Sequence, residues 1–352
     1  MMSRLGLRLP ALVWVVLVSV LSVAAKAQET TGSISGTISD SSGASLKGAV
    51  VTVTNTDRGQ DIRTLTTNSS GFYTATSLPL GTYTVKVSAN GFKSEVVTGL
   101  VLHVNDALTV NRTLAVGNAG ETVTVTADQV QLNLENGMSQ GLINGTQIRE
   151  LALNNRNYEQ LLLLQPGVSF GGASDQLYIG TSLPAGTSNQ VAFSIDGSRP
   201  TSNNWTIDGA DNVDRGANLT LLSYPSVDAI AEFKTLRGNY LAEFGRNASG
   251  QIDVITRSGT NAFHGSAYEF FRNNIFNANA YFNKISSVVT PRPLLRYNDF
   301  GYTIGGPVWI PHVYDGRNKT FFFFSQEIRR VINYATATAL IPTTAELNGD
   351  FT

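Results

Sequence analysis

Between Thr31 and about Val116, apolar and polar residues alternate in short runs, and turn residues separate the runs. A period of two puts successive side chains on opposite faces of a strand, so each run predicts a half-buried β-strand. In Gly32-Ser33-Ile34-Ser35-Gly36-Thr37-Ile38, Ile34 and Ile38 share a face, and in Thr82-Tyr83-Thr84-Val85-Lys86-Val87 so do Tyr83, Val85 and Val87. Ser41-Ser42-Gly43, Asn68-Ser69-Ser70-Gly71 and Pro79-Leu80-Gly81 punctuate the strands, because Gly permits positive φ and Pro fixes φ at turns. About seven short strands in roughly 85 residues predict a β-sandwich.

Gly117-Asn118-Ala119-Gly120 reads as a linker, and after it Glu121-Thr122-Val123-Thr124-Val125-Thr126-Ala127 alternates again. An unpaired alternating strand on a tether can add itself to the exposed edge of a partner's sheet. Any edge strand could be written the same way. Further on, Asn157 with Gln160 three residues later is arranged as a capping box for a short helix; Leu161 to Leu164 would supply its core and Pro166-Gly167 its end. Ile195-Asp196-Gly197 and Ile207-Asp208-Gly209 look like strand-to-turn junctions, with Asp bonding the backbone ahead and Gly in the left-handed region, and their repetition predicts hairpins.

From Thr260 onward the pattern changes. Of the 32 Phe, Tyr and Trp residues, 18 lie in the last 93 positions. Gly265-Ser266-Ala267-Tyr268-Glu269-Phe270 and Lys319-Thr320-Phe321-Phe322-Phe323-Phe324-Ser325 suit barrel strands, which alternate lipid-facing and lumen-facing residues and carry aromatic girdles at the interfaces. The core of a soluble sandwich is the competing reading.

Composition narrows the class. With 25 Lys and Arg against 26 Asp and Glu the net charge is -1, so no basic surface draws the chain to nucleic acid. Charged residues make up only 14%, which favours strands and turns over solvated helices. There are no cysteines, hence neither disulfides nor thiolate metal sites. At the N-terminus Arg4 and Arg8 precede an apolar run from Ala11 to Ala25, and Ala25-Lys26-Ala27 is the small-x-small pattern that signal peptidase cuts, so residues 1–27 read as a signal peptide and Gln28 as the first mature residue. A membrane anchor would need a longer run, of about 20 apolar residues. No later segment is continuously apolar enough for a transmembrane helix, which leaves a β-barrel as the route to membrane residence.

Catalytic chemistry finds little support. His103, His264 and His312 lie far apart, without a metal-binding partner at helical spacing. Neither a nucleophile-elbow string nor a P-loop is present, and Gly245-Arg246-Asn247-Ala248-Ser249-Gly250 reads as a turn beside a strand. The chain is therefore read as a non-enzyme with no cofactor. Asp208, Asp211 and Asp214 miss the alternation of a calcium loop and lack its closing Glu, so they read as loop residues and no metal site is assigned.

Several strings also carry a resemblance. GSISGTISDSSGASLKGAVVTVTN and TTNSSGFYTATSLPLGTYTVKVSANGF resemble the carboxypeptidase-regulatory-like domain, a transthyretin-like sandwich also classed as a carbohydrate-binding-like fold. IRELALNNRNYEQLLLLQPGV, FSIDGSRPTSNNWTIDGADNVDRG and PSVDAIAEFKTLRGNYLAEFGRNASGQIDVITRSGTN resemble the plug of TonB-dependent outer-membrane receptors of the Oar-like branch. GTNAFHGSAYEFFRNNIFNANAYF, NDFGYTIGGPV and DGRNKTFFFFSQEIRR resemble the opening barrel strands of the same receptors, and residues 121–127 resemble the TonB box.

What this resemblance implies is a mostly β protein: a signal peptide over 1–27, a seven-stranded sandwich over 29–116, a linker with the TonB-box-like segment over 117–127, an α/β plug over 128–257 and the start of a transmembrane β-barrel over 258–352. It implies TonB-coupling through Glu121, Thr122, Val123, Thr124, Val125, Thr126 and Ala127, and a plug-to-barrel contact through Glu232, Arg237, Glu243 and Arg246. The expected partners are TonB with its inner-membrane energising complex, outer-membrane lipid and an unidentified extracellular solute, taken up or exported; oligosaccharide, peptide and metal chelate all remain open. Barrels of this type close about 22 strands, whereas the residues after 260 can form roughly six to eight, so the chain is expected to be the N-terminal portion of a longer receptor. The alternative is a secreted or surface-attached carbohydrate-binding β-protein without transport.

Overall fold

In the computed structural model β1 (Gly32–Asp40) organises the N-terminal sandwich, pairing antiparallel with β4 (Phe72–Leu78) on one side. On its other side two short parallel strands follow one another, β7 (Ala107–Thr109) and β8 (Arg112–Leu114). The facing sheet runs in the order β3-β2-β5-β6-β9, built from β2 (Val50–Asn55), β3 (Gln60–Thr66), β5 (Gly81–Ser88), β6 (Ser94–Leu102) and β9 (Thr122–Thr126). The structure describes residues 31–118, 120–127, 137–153, 156–170, 191–216, 218–240, 244–279, 281–285, 291–333 and 341–351. The signal segment expected over 1–27 and the start of the mature chain lie outside the described residues.

The alternation seen in the sequence accounts for the sandwich core. Ile34, Ile38, Tyr83, Val85 and Val87 are all fully buried between the two sheets. Gly36 sits between the two isoleucines, where a Cβ would come 2.1 Å from the carbonyl oxygen of Val110. That close approach falls between β7 and β8, and the Tyr73 hydroxyl donates to the same oxygen at 3.0 Å. Burial pushes the Tyr73 hydroxyl well above the ordinary tyrosine pKa, so it remains a donor. Two turns repeat one device: Asp40 Oδ1 accepts from the backbone of Ser42 and Ala44, Asn68 Oδ1 from that of Ser70 and Phe72, and Gly43 and Gly71 take positive φ.

The middle of the chain forms a second sheet in the order β10-β15-β16-β13-β14, from β10 (Ser139–Asn144), β13 (Asn204–Ile207), β14 (Ala210–Asp211), β15 (Ile230–Gly238) and β16 (Gln251–Thr256). A separate pair joins β11 (Val168–Phe170) to β12 (Phe193–Ile195). One face of the larger sheet is apolar: Phe233, Val254, Ile252 and Trp205 pack with Tyr158, Leu161 and Leu162. The last three belong to the helix expected after Asn157, which is a 3-10 helix over Tyr158–Leu164. Its capping box is absent, because the buried Asn157 side chain makes no cap bond, and Leu164 is exposed. A capping box does form at Asn144 and Gln147, opening α1 (Gly145–Glu150).

The two Asp-Gly junctions differ from one another. Asp208 and Gly209 both take positive φ and close a two-residue hairpin between β13 and β14, with Ile207 opposite Ala210. The Asp208 carboxylate does not bond the backbone ahead; it accepts from the amide and hydroxyl of Thr256 at 2.9 and 2.7 Å. Asp196 and Gly197 make the same left-handed pair, but the chain then enters a 3-10 turn at Pro200–Ser202, and β12 pairs with β11 instead.

All the elements so far belong to one compact unit, Met1–His264 with Gly305–Phe323. The second unit comprises Gly265–Ile304 and Phe324–Thr352. Its sheet is drawn from β17 (His264–Asn273), β18 (Leu295–Pro307) and β21 (Phe321–Asn333), with β18 in the centre. Between the last two, β19 (Trp309–Ile310) and β20 (Tyr314–Asp315) form a small ribbon.

Candidate functional site

The segment expected to couple to TonB is not an unpaired tether. β9 lies parallel to β6, with Ser94 opposite Thr122, Val96 opposite Thr124 and Thr98 opposite Thr126. Backbone bonds from Ser94 to the Glu121 carbonyl and from Ala127 to the Thr98 carbonyl, both 2.9 Å, close the two ends, and Lys93 Nζ lies 2.6 Å from Glu121 Oε2. Val125 is half-buried and Ala127 packs against the sandwich core, while Thr122, Thr124 and Thr126 face solvent. The alternation that makes the segment fit for strand addition is thus already used inside the chain. β9 ends its sheet, so one of its edges has no neighbouring strand among the described residues.

A polar network joins the sandwich to the second face of the middle sheet. Glu232 and Lys234 alternate along β15, and Asp253 and Gln251 do so along β16, with Lys234 paired opposite Asp253. All four are buried, and the loop between β6 and β7 bonds Glu232, Lys234 and Asp253. Glu232 accepts from the Val104 amide at 2.7 Å and lies 2.6 Å from His103 Nδ1. Lys234 Nζ donates to the Val104 carbonyl at 2.6 Å and to Asp106 at 2.7 Å. Asn105 donates to Asp253 at 2.9 Å, and Asp253 also accepts from Thr206 and Gln251. The hydrogen bond that the His103 ring donates to Glu232 raises the His103 pKa above its ordinary value. Beside this network a cleft of about 960 Å³ is lined by residues of both parts, among them Arg58, Arg149, Arg257 and Asp208.

The residues expected to contact a barrel wall do not form one cluster. Both carboxylate oxygens of Glu232 are committed to the sandwich loop. Arg237 donates to the Pro166 carbonyl at 2.5 Å and lies 3.9 Å from Asp196. Arg246 reaches Asp211 at 3.0 Å, which Arg215 also contacts. Glu243 lies outside the described residues. The loop aspartates act separately: Asp211 meets these arginines and Asp214 accepts from the backbone of Gly216, Leu219 and Thr220.

In the second unit the usual order of faces is inverted. Along β18 the buried side chains Tyr297, Asp299 and Thr303 alternate with the exposed Tyr302 and Ile304. The covered face is polar. Arg329 contacts both Asp299 and Glu327, Tyr268 donates to Glu327, and Ser266 lies 2.8 Å from Thr303. On the open face Tyr302 and Phe324 rings pack 5.9 Å apart, Phe300 lies under Arg330, and Ile328 and Ile332 continue the row. A water-soluble sheet buries its apolar face, whereas a barrel in lipid turns that face outward and keeps the polar one inside. Among the described residues no helix is long and apolar enough to cross a membrane.

Comparison with known proteins agrees with both ends of the chain. Residues 33–115 match a carboxypeptidase regulatory-like domain, and residues 255–352 match an outer membrane beta barrel domain. The chain is similar to the TonB-dependent transporter Oar of Myxococcus xanthus, 26% identical over 323 residues, covering 90% of this chain and 28% of that protein. Among solved structures it is similar to the siderophore receptor PirA from Acinetobacter baumannii, with 19% identity, a TM-score of 0.31, and coverage of 48% of this chain and 22% of that one. It is also similar to the outer membrane transporter YddB from Escherichia coli, with 15% identity, a TM-score of 0.33, and coverage of 55% and 30%. The chain is therefore a protein of the outer membrane that joins a carboxypeptidase regulatory-like domain to an outer membrane β-barrel domain. In particular, it is a relative of the TonB-dependent transporter Oar and spans just over a quarter of that relative's length.

Proposed function

We propose that this chain belongs to a TonB-dependent outer-membrane receptor that couples inner-membrane energy to the uptake or export of a solute. The observation that carries this reading is the inverted sheet of the second unit, a polar covered face formed around Asp299 and Arg329 beneath an open face of Phe324, Tyr302 and Ile304. A secreted adhesive β-protein has no use for such an exterior. The similarity to Oar supports the coupling to TonB, with residues 121–127 as the coupling segment.

In this reading residues 128–257 are the plug, and its β15–β16 face is where the sandwich is held. Arg237 and Arg246 are retained as contacts to the barrel wall. The solute is an oligosaccharide, a peptide or a metal chelate, and the sandwich itself acts as a rigid spacer. The chain acts without catalysis of its own.

The direct test is binding of a peptide spanning residues 117–130 to the periplasmic domain of the host's TonB. A Val123→Pro peptide serves as control, because proline removes a backbone donor from any added strand. Binding that the control loses supports coupling through this segment; no binding by either peptide rejects the segment as the coupling box.

A further inference from the structure

The cleft beside the junction gathers three guanidinium groups that are held in place by contacts other than carboxylates. Arg58 comes from the turn between β2 and β3, Arg149 from the last turn of α1 and Arg257 from the position directly after β16, all within the first compact unit. Among the described residues none of the three forms an ion pair. The carboxylates that share the lining are engaged elsewhere: Asp57 accepts from the Thr82 amide at 2.7 Å, Asp208 from Thr256, and Glu232 from the Val104 amide and His103. Arg58 lies over the Phe321 ring at 5.8 Å and Arg257 over the Phe323 ring at 5.3 Å, and those rings share a face of β21 because they stand two residues apart. Arg58 also donates to Ser258 at 3.2 Å, next to Arg257. Burial, and after it the charge of Arg149, push the Arg257 pKa below the ordinary arginine value. Like charges held together in a half-buried cleft oppose one another, and a bound anion offsets that repulsion.

We infer that this cleft is an anion site that takes a phosphate group, free or carried on a lipid, bonded by Arg58 from the sandwich and by Arg149 and Arg257 from the middle sheet. A guanidinium offers a planar fork of donors, and a phosphate monoester offers three acceptor oxygens and close to two charges, so one such group can engage all three arginines. A carboxylate, with two oxygens and one charge, fills a single fork. The cleft of about 960 Å³ lies at the upper end of the range usual for small-molecule sites, about 300–1,000 Å³, so it also admits the body that carries the phosphate. Because the arginines come from both parts, a bound phosphate ties the sandwich to the middle sheet a second time, beside the His103–Glu232 and Lys234–Asp106 contacts. The inference is independent of coupling to TonB.

The full chain in detergent is titrated with inorganic phosphate and with pyrophosphate at constant ionic strength, followed by calorimetry and by its melting temperature, and separately with micelles containing phosphatidic acid. A saturable response is expected, weakened about tenfold or more in Arg149→Gln, which loses a charge-assisted bond. A response to the soluble anions assigns free phosphate; one confined to the phosphatidic acid micelles assigns a lipid headgroup. Without ligand, Arg149→Gln is expected to melt no lower than the wild type, because it relieves the repulsion on Arg257. A lowered melt with unchanged affinity would make Arg149 a structural residue and overturn the inference. Arg58→Gln, on the other wall, is expected to weaken binding likewise, and unchanged affinity there would overturn the inference too. Lys47→Gln, an exposed cation outside the cleft, is expected to bind as the wild type does, and an equal loss in it would reduce the site to general charge attraction. No saturable response to any of the three probes, or citrate bound as tightly as pyrophosphate, would also overturn the phosphate site.

Discussion

The Lys234 ammonium, only 1% exposed on the middle sheet, lies 2.7 Å from the carboxylate of Asp106 in the loop between β6 and β7. It also donates to the Val104 carbonyl, so two of its three protons are placed by the sandwich. Removing one member of a buried pair strands the other charge, at a cost of about 3–5 kcal/mol. Lys234→Ala is therefore expected to lower stability by about that much, measured by denaturant unfolding in detergent. Lys234→Met combined with Asp106→Asn removes both charges and is expected to recover most of the loss. An additive double variant would mean that the two groups do not act as a pair.

His103 and Glu232 make the same junction sensitive to pH. The bond to Glu232 raises the His103 pKa above its ordinary 6.5, with Asp106 reinforcing the shift and burial and Lys234 opposing it. A group whose pKa is raised by folding contributes its full stabilisation below the unfolded value and loses it as pH rises through the folded one. The hold of the sandwich on the middle sheet should thus be full below pH 6.5 and weaken as pH rises above it through the raised folded value. Hydrogen exchange at the Val104 amide, followed with pH, is expected to accelerate in that window in the wild type and to lose the step in His103→Gln. Identical profiles would remove His103 from the device.

How much of this could be read in advance depends on the range of the interactions. The Tyr83, Val85 and Val87 face, and the turns at Asp40 and Asn68, follow from neighbours a few residues away, and the sequence pattern reaches them. The Asn157 cap fails because tertiary packing buries that side chain. The working box at Asn144 and Gln147 was hidden behind an Asn-Gly pair that reads as a turn. Glu232 and Lys234 alternate with Phe233 as in a half-solvated strand; only a loop some 130 residues earlier in the chain turns their face into an interior. Of the two, only Glu232 is singled out from the sequence, through the resemblance and with a different partner, and Lys234 is not. β9 is the converse case, an alternation legible in the sequence whose use by the sandwich was not.

Gly36 tests the packing of the sandwich itself. A Cβ there would meet the Val110 carbonyl at 2.1 Å, and backbone cannot swing aside as a side chain would. The Val110 amide is meanwhile bonded to the Ser35 carbonyl at 2.7 Å and its carbonyl to Tyr73, so the strand has no free direction. Gly36→Ala is expected to cost at least the roughly 1–3 kcal/mol typical of overpacking. A drop in the first thermal transition by circular dichroism would show it, and an unchanged melt would mean that β7 and β8 are held less firmly than these bonds imply.

Ile304 separates the two readings of the second unit, because its environment differs between them while its coordinates do not. It stands 45% exposed on the open face of β18, next to Thr303 on the covered polar face. If water bathes that face, as in a secreted β-protein, Ile304→Arg is an ordinary surface substitution, worth within about 0.5 kcal/mol. If lipid bathes it, an arginine there costs about 2–4 kcal/mol near the bilayer midplane and less towards the interfaces. The protein carrying Ile304→Arg is accordingly expected to show reduced assembly in the outer membrane and a lowered unfolding midpoint in bilayers. Ile304→Val is expected to leave both unchanged. Normal assembly of the arginine variant would place this face in water and withdraw the barrel reading on which the transport function depends.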